Sequence, residues 1–173
     1  LTYSISTIGC NFKCLHCQNH SLSQVDFRKN QAGYLIKSPE NITQAALNGG
    51  CKSISYTYVE PTVFYEFAYD CCHAAKDCGL RNIFVSNGYM SHAAAAVLVP
   101  VLDAINIDIK SFNDEFYQKK TMEKSIRTIK GRYSIKVGKE KRWKKSRKKE
   151  MKEKYIRYIK YIKYIKFINI KIF

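Results

Sequence analysis

Four times between residues 3 and 109, a short run rich in β-branched residues stops at a polar or turn residue and gives way to a helical pattern. The runs are Tyr3–Ile8, Lys52–Tyr58, Asn82–Ser86 and Ala104–Ile109. Ser38 is placed to cap the helix after the first run, with Pro39 at its first position and Gly49-Gly50 at its end. Glu60-Pro61 opens a long helix whose apolar stripe includes Val63, Phe67, Cys71, Ala74, Ala75 and Cys78 and which stops at Gly79; Cys71 and Cys78 therefore read as core. Ser91 caps an alanine-rich helix after the third run, and a short helix is expected near Asp114–Lys120. Alternating strands and helices predict an α/β fold of parallel strands joined by right-handed crossovers.

Such sheets carry their chemistry at the carboxyl ends of the strands. A cysteine loop follows the first strand, Glu60 the second and Ser86-Asn87-Gly88 the third, while Asp108 and Lys110 close the fourth. Taken singly, each is an ordinary cap or turn residue. Four on one rim make a site.

The cysteine loop is the most specific of them. Cys10, Cys14 and Cys17 are spaced C-x3-C-x2-C, enough to bind three irons of a [4Fe–4S] cube and leave the fourth open to a small molecule. In the bacterial ferredoxin run every iron has a thiolate, and zinc ribbons use paired C-x2-C knuckles. The spacing also admits a Cys3His zinc site completed by His16 or His20, the basis of a zinc-binding interaction module. Seven cysteines is an odd number, and no leader-like segment precedes them, so the expectation is reduced thiols in the cytoplasm.

Charge divides the chain. Residues 1–120 hold 10 Lys+Arg against 10 Asp+Glu, whereas residues 121–173 hold 20 against 4 and supply the whole formal charge of +16. Beyond residue 139 the sequence is rich in Lys and from Tyr155 to Lys166 falls into a Tyr-Ile-Lys repeat of period three, which matches neither a helix nor a strand. A cation every third residue excludes a membrane span. The tail admits a basic, aromatic-interleaved nucleic-acid arm, but an AT-rich, non-coding-like origin explains its composition better. Leu1 begins the chain almost within a strand, and the expectation is a fragment.

The runs Gly9–Gln24, Tyr56–Phe67, Val85–Tyr89 and Leu102–Lys110 together resemble the radical S-adenosylmethionine (SAM) superfamily. Within it they are most similar to the AmmeMemoRadiSam-system enzymes, relatives of the pyruvate formate-lyase activating enzyme. The resemblance implies an incomplete (β/α)6 partial TIM barrel of about four βα units over residues 1–120, a fading remnant over 121–138 with a weak fifth strand near Tyr133–Val137, and a low-complexity tail over 139–173. It implies a [4Fe–4S] cluster on Cys10, Cys14 and Cys17, with S-adenosylmethionine chelating the open iron. Glu60 would hold the methionine amino group, Ser86 and Asn87 would lie near the ribose, and Asp108 and Lys110 would face the cofactor. His16 stands where an aromatic ring usually packs, and Tyr58-Val59 replaces the two glycines of the activating enzymes. The implied reaction is reductive cleavage of the sulfonium to a 5′-deoxyadenosyl radical that abstracts hydrogen from a protein or small-molecule substrate. A flavodoxin or ferredoxin would supply the electron. With two strands of the family barrel missing, the chain is expected to bind its cluster poorly and to be catalytically impaired.

Overall fold

A computed structural model describes residues 1–26, 37–110, 117 and 167–172. The expected helix near Asp114–Lys120 and strand near Tyr133–Val137 lie, apart from Tyr117, outside these residues. The elements run β1 (Thr2–Ile5), α1 (His20–Ser23), α2 (Pro39–Asn48), β2 (Ser53–Tyr56), a 3-10 turn (Pro61–Phe64), α3 (Tyr65–Asp77), β3 (Arg81–Ser86), α4 (His92–Leu98), a second 3-10 turn (Val99–Val101), β4 (Ala104–Ile109) and β5 (Phe167–Ile172). The sheet order is β1-β2-β3-β4-β5 and every pairing is parallel. Sequential order with parallel pairing is the winding expected of consecutive βα units. The chain is thus α/β, the class expected from its alternating strands and helices.

Local chemistry explains the helix starts. Ser38 Oγ accepts from Asn41 N–H at 3.3 Å, and Ser91 Oγ accepts from Ala94 N–H at 3.1 Å, so each serine satisfies an orphan donor. The helix expected from Glu60 begins instead as a 3-10 turn, with regular α-helix only from Tyr65. Glu60 is its cap, accepting from Thr62 N–H at 3.2 Å.

The core lies between the sheet and its helices. Ala68, Cys71, Cys72 and Ala75 form a fully buried face of α3, and their small side chains let the helix approach the strands closely. Tyr56 of β2 and Phe84 of β3 pack beneath, ring centroids 4.9 Å apart. Burial pushes the Cys71 and Cys72 thiols up to about 12, so they are inert packing groups. Cys78 corrects the sequence expectation: it is exposed at the end of α3, because the helix terminates there before its stripe completes another turn.

Asn82 is a polar exception inside this core. Its Nδ2 donates to Cys72 O at 2.9 Å and Val101 O at 3.1 Å, and its Oδ1 accepts from Tyr56 Oη–H at 3.1 Å. Every polar atom of that side chain is engaged, as burial demands. Asp103 Oδ2 accepts from the Asn82 backbone N–H at 3.0 Å, tying β3 to the start of β4.

The fifth strand is a difference from the sequence reading, which placed none there. Phe167–Ile172 pairs with Ala104–Ile109 along its whole length. Here the period of three gives way to a period of two, Ile168, Ile170 and Ile172 alternating with Asn169 and Lys171. That pattern matches Ile105, Ile107 and Ile109 alternating with Asn106 and Asp108 in the strand it joins. Among the described residues no helix is long and apolar enough to cross a membrane.

Candidate cofactor site

The segment between β1 and α1 is irregular and is held by individual backbone and side-chain bonds rather than by a backbone ladder. Gly9 turns the chain out of the strand at φ 93, a conformation that favours glycine, and its N–H donates to Leu22 O at 2.8 Å. Gln24 Nε2 donates to Phe12 O at 2.9 Å, and Cys17 N–H closes a turn on Cys14 O at 3.2 Å. Phe12 is 3% exposed and pins the loop to the rim, its ring 5.7 Å from Tyr89 and 5.9 Å from Tyr117. Asn19 Nδ2 reaches across to Tyr58 O at 2.6 Å.

These constraints leave Cys10, Cys14 and Cys17 half-buried and free of disulfides. Burial pushes the Cys10 thiol up, against a backbone N–H from Phe12 that favours the thiolate. It pushes Cys14 up to about 11 although the Lys110 cation opposes it. Cys10 and Cys17 each add to the effect on Cys14, so the three sulfurs share one electrostatic environment. Cys17 Sγ lies 3.3 Å from Ser23 Oγ. His16 and His20 are exposed. Among the described residues no three of His, Cys, Asp and Glu converge as one metal ion requires.

The other site residues divide by exposure. Glu60 is 2% exposed, and its carboxylate accepts from four protein donors. Thr62 N–H, Thr62 Oγ1–H at 2.9 Å and Ser86 Oγ–H at 2.8 Å meet Oε1, while Asn87 N–H meets Oε2 at 2.7 Å. Burial pushes this carboxyl up and the donors from Asn87, Ser86 and Thr62 pull it down. Ser86, also buried, accepts from Gly88 N–H at 2.9 Å. Glu60 and Ser86 therefore clasp the ends of β2 and β3 together. Asn87, Asp108 and Lys110 keep partly exposed side chains. Lys110 Nζ lies 3.1 Å from Asp108 Oδ2, and Asn106 Nδ2 donates to Asp108 Oδ1 at 3.0 Å. Tyr117 Oη accepts from Lys110 N–H at 3.1 Å. Tyr117 joins the end of β4 to the cysteine loop, its hydroxyl accepting from Lys110 N–H and its ring lying 5.9 Å from that of Phe12.

Sequence reasoning did not single out Asn11, Phe12, Gln24 or Tyr117 as site-forming residues, nor assign Asn19 its bond to Tyr58. The first three lie inside the run already quoted, but nothing in their spacing marks their partners, which stand on other elements. Tyr58 carries a further signal. It has φ 67, and Val59 N–H donates to Thr57 O at 2.9 Å across it. A non-glycine residue held in that region at the edge of a site is strained.

A model of the radical SAM superfamily matches residues 4–167. An uncharacterized protein of Methanocaldococcus jannaschii is 45% identical over 130 residues, covering 73% of this chain. The chain spans 38% of the length of that relative.

Proposed function

Because the chain belongs to the radical SAM superfamily, we propose that Cys10, Cys14 and Cys17 hold a [4Fe–4S] cluster beside an S-adenosylmethionine site on the β2–β4 rim. The observation that carries this reading is the placement of three free, half-buried thiols of one loop near the carboxyl end of a parallel strand, with Tyr117 bridging from Phe12 of that loop to Lys110 N–H at the end of β4. The chemistry such a cluster supplies when bound is one-electron reduction of the sulfonium, leaving a hydrogen-abstracting 5′-deoxyadenosyl radical.

The protein's own residues bind, orient and shield. Cys10, Cys14 and Cys17 release their protons to ligate. Asn87, Asp108 and Lys110 lie on the rim with partly exposed side chains that would face the cofactor. Among the described residues Glu60 Oε2 accepts from one protein donor, Asn87 N–H, and this oxygen is the one that would meet an ammonium group. Ser86 holds that carboxylate in place at 2.8 Å. Phe12 packs with Tyr89 and Tyr117 in an aromatic cluster that would shield one side of the loop. The Lys110–Asp108 pair keeps the approach close to neutral.

The finer reading is an activating-enzyme-like oxidoreductase working in a reducing cytoplasm, supported by the four runs that resemble that group. Its substrate is a protein or a small molecule. Its electron donor is a flavodoxin or ferredoxin, which would approach over the exposed part of the loop, where Leu15 is 72% exposed.

Oxygen-free reconstitution of the full chain with iron and sulfide tests the reading. A brown protein whose reduced paramagnetic spectrum changes on adding S-adenosylmethionine is expected, with cluster content lost in Cys14→Ser. Ligation needs thiolates and burial keeps Cys10 and Cys14 protonated at neutral pH, so iron uptake should rise as the pH is raised. A colourless protein that retains zinc would overturn it.

A further inference from the structure

We propose that Asn11 is a positioning residue that registers the cysteine loop against the β2–β3 rim through Asn87, an inference that rests on the cluster reading above. The two residues are 76 positions apart, and Asn87 Nδ2 donates to Asn11 Oδ1 at 2.7 Å. Asn11 Nδ2 in turn donates to Tyr89 O at the longer distance of 3.4 Å. The Asn87 amide is used at both ends, since its Oδ1 accepts from Tyr89 N–H at 2.9 Å and closes the turn after β3. Gly88 supplies the left-handed step of that turn at φ 75.

From Asn87 the connection continues inward. Its backbone N–H donates to Glu60 Oε2 at 2.7 Å, and the other carboxylate oxygen is anchored by Thr62 and Ser86. A line of hydrogen bonds therefore runs from the residue next to Cys10 to a carboxylate inside the fold. It also joins the first proposed iron ligand to two residues proposed for the cofactor, Asn87 and Glu60. The bonds of Gly9 to Leu22 and of Gln24 to Phe12 tie the loop to its own continuation. The Asn11 bonds tie it to a different strand.

A purely structural role predicts little from this pair. Asn11 is exposed, and a solvent-exposed hydrogen bond adds little to global stability, while Phe12 burial already attaches the loop. Position is another matter. Cys10 is adjacent to Asn11, and a small displacement of one anchoring sulfur shifts a bound cluster relative to the cofactor site.

The test uses the full chain carrying a reconstituted cluster under oxygen-free conditions. Its readout is the concentration of S-adenosylmethionine that half-shifts the paramagnetic spectrum of the reduced cluster, with iron content and thermal midpoint measured alongside. For Asn11→Ala we expect wild-type iron content and midpoint but a half-shift concentration raised about tenfold, the scale of one lost hydrogen bond. Asn11→Asp keeps the oxygen that accepts from Asn87 but loses the donor to Tyr89 O and adds a charge beside Cys10, so its half-shift concentration should fall between those of wild type and Asn11→Ala. In an Asn87→Ala background, Asn11→Ala should add nothing further. A wild-type response in Asn11→Ala, or additive effects in the double variant, overturns the proposal while leaving the cluster reading intact. A wild-type chain that takes up a cluster yet ignores S-adenosylmethionine overturns both.

Discussion

The two ends of β3 are built in different ways. At its start, Asn82 sits in a dry interior where α3, β2 and the second 3-10 turn converge, and each of its polar atoms is matched to a buried partner. At its end, Ser86 and Asn87 reach into a rim where side chains bond across loops and the outer members stay wet. The first end is redundant in apolar contact but intolerant of an unmatched dipole. The second depends on a handful of directional bonds, so substitutions there should alter position more than stability. A fold can thus keep its site adjustable while its frame remains rigid.

The largest break in that comparison comes from the buried end. Asn82→Ala strands the carbonyls of Cys72 and Val101 and the Tyr56 hydroxyl, and should cost about 3 kcal/mol or more in urea unfolding. The surviving folded fraction should still take up iron. A loss below about 1 kcal/mol would mean that water or a repacked side chain satisfies those groups.

Glu60→Gln probes the joint between the two regions. A carboxamide has one acceptor oxygen where the carboxylate has two, so at least one of the four donors from Thr62, Ser86 and Asn87 must face an N–H2 group. A destabilisation of about 1–3 kcal/mol is expected in the same assay, together with weaker cofactor response. Unchanged stability would show that the clasp is dispensable to the frame.

The smallest effect belongs to the wet end. Tyr58 is 54% exposed and occupies a left-handed backbone conformation, so Tyr58→Gly should relieve strain and raise stability by about 1 kcal/mol at most. If stability instead falls, the tyrosine ring supports the rim by packing, and the strain argument fails at this position.

Much of this architecture was legible in the linear chain. Ser38 and Ser91 cap the helices they were expected to cap, because a cap is a contact between residues three apart. The four βα units appear, the fourth strand with the expected bounds, the third one residue longer and the first two shorter, since period-two alternation reports burial within a strand but not where pairing stops. Glu60 shows the limit. Its place before Pro61 marked it as a helix start and a rim residue, yet its engagement with Ser86 and Asn87 depends on β2 and β3 lying side by side. Phe167–Ile172 escaped notice because six alternating residues follow a long period-three repeat, and they become a strand where β4 offers an edge to pair with.

What the chain determined alone was local: three thiols within eight positions, a serine cap before α2 and before α4, and polar residues at the ends of apolar runs. These follow from short-range geometry, which any folded form of the sequence must respect. Tertiary structure decided which of those polar residues meet, which turn inward and which stay open to a ligand. Asn11 touches Asn87 and Glu60 loses its exposure only because parallel strands bring distant loops to one edge, where direction and desolvation select the partners.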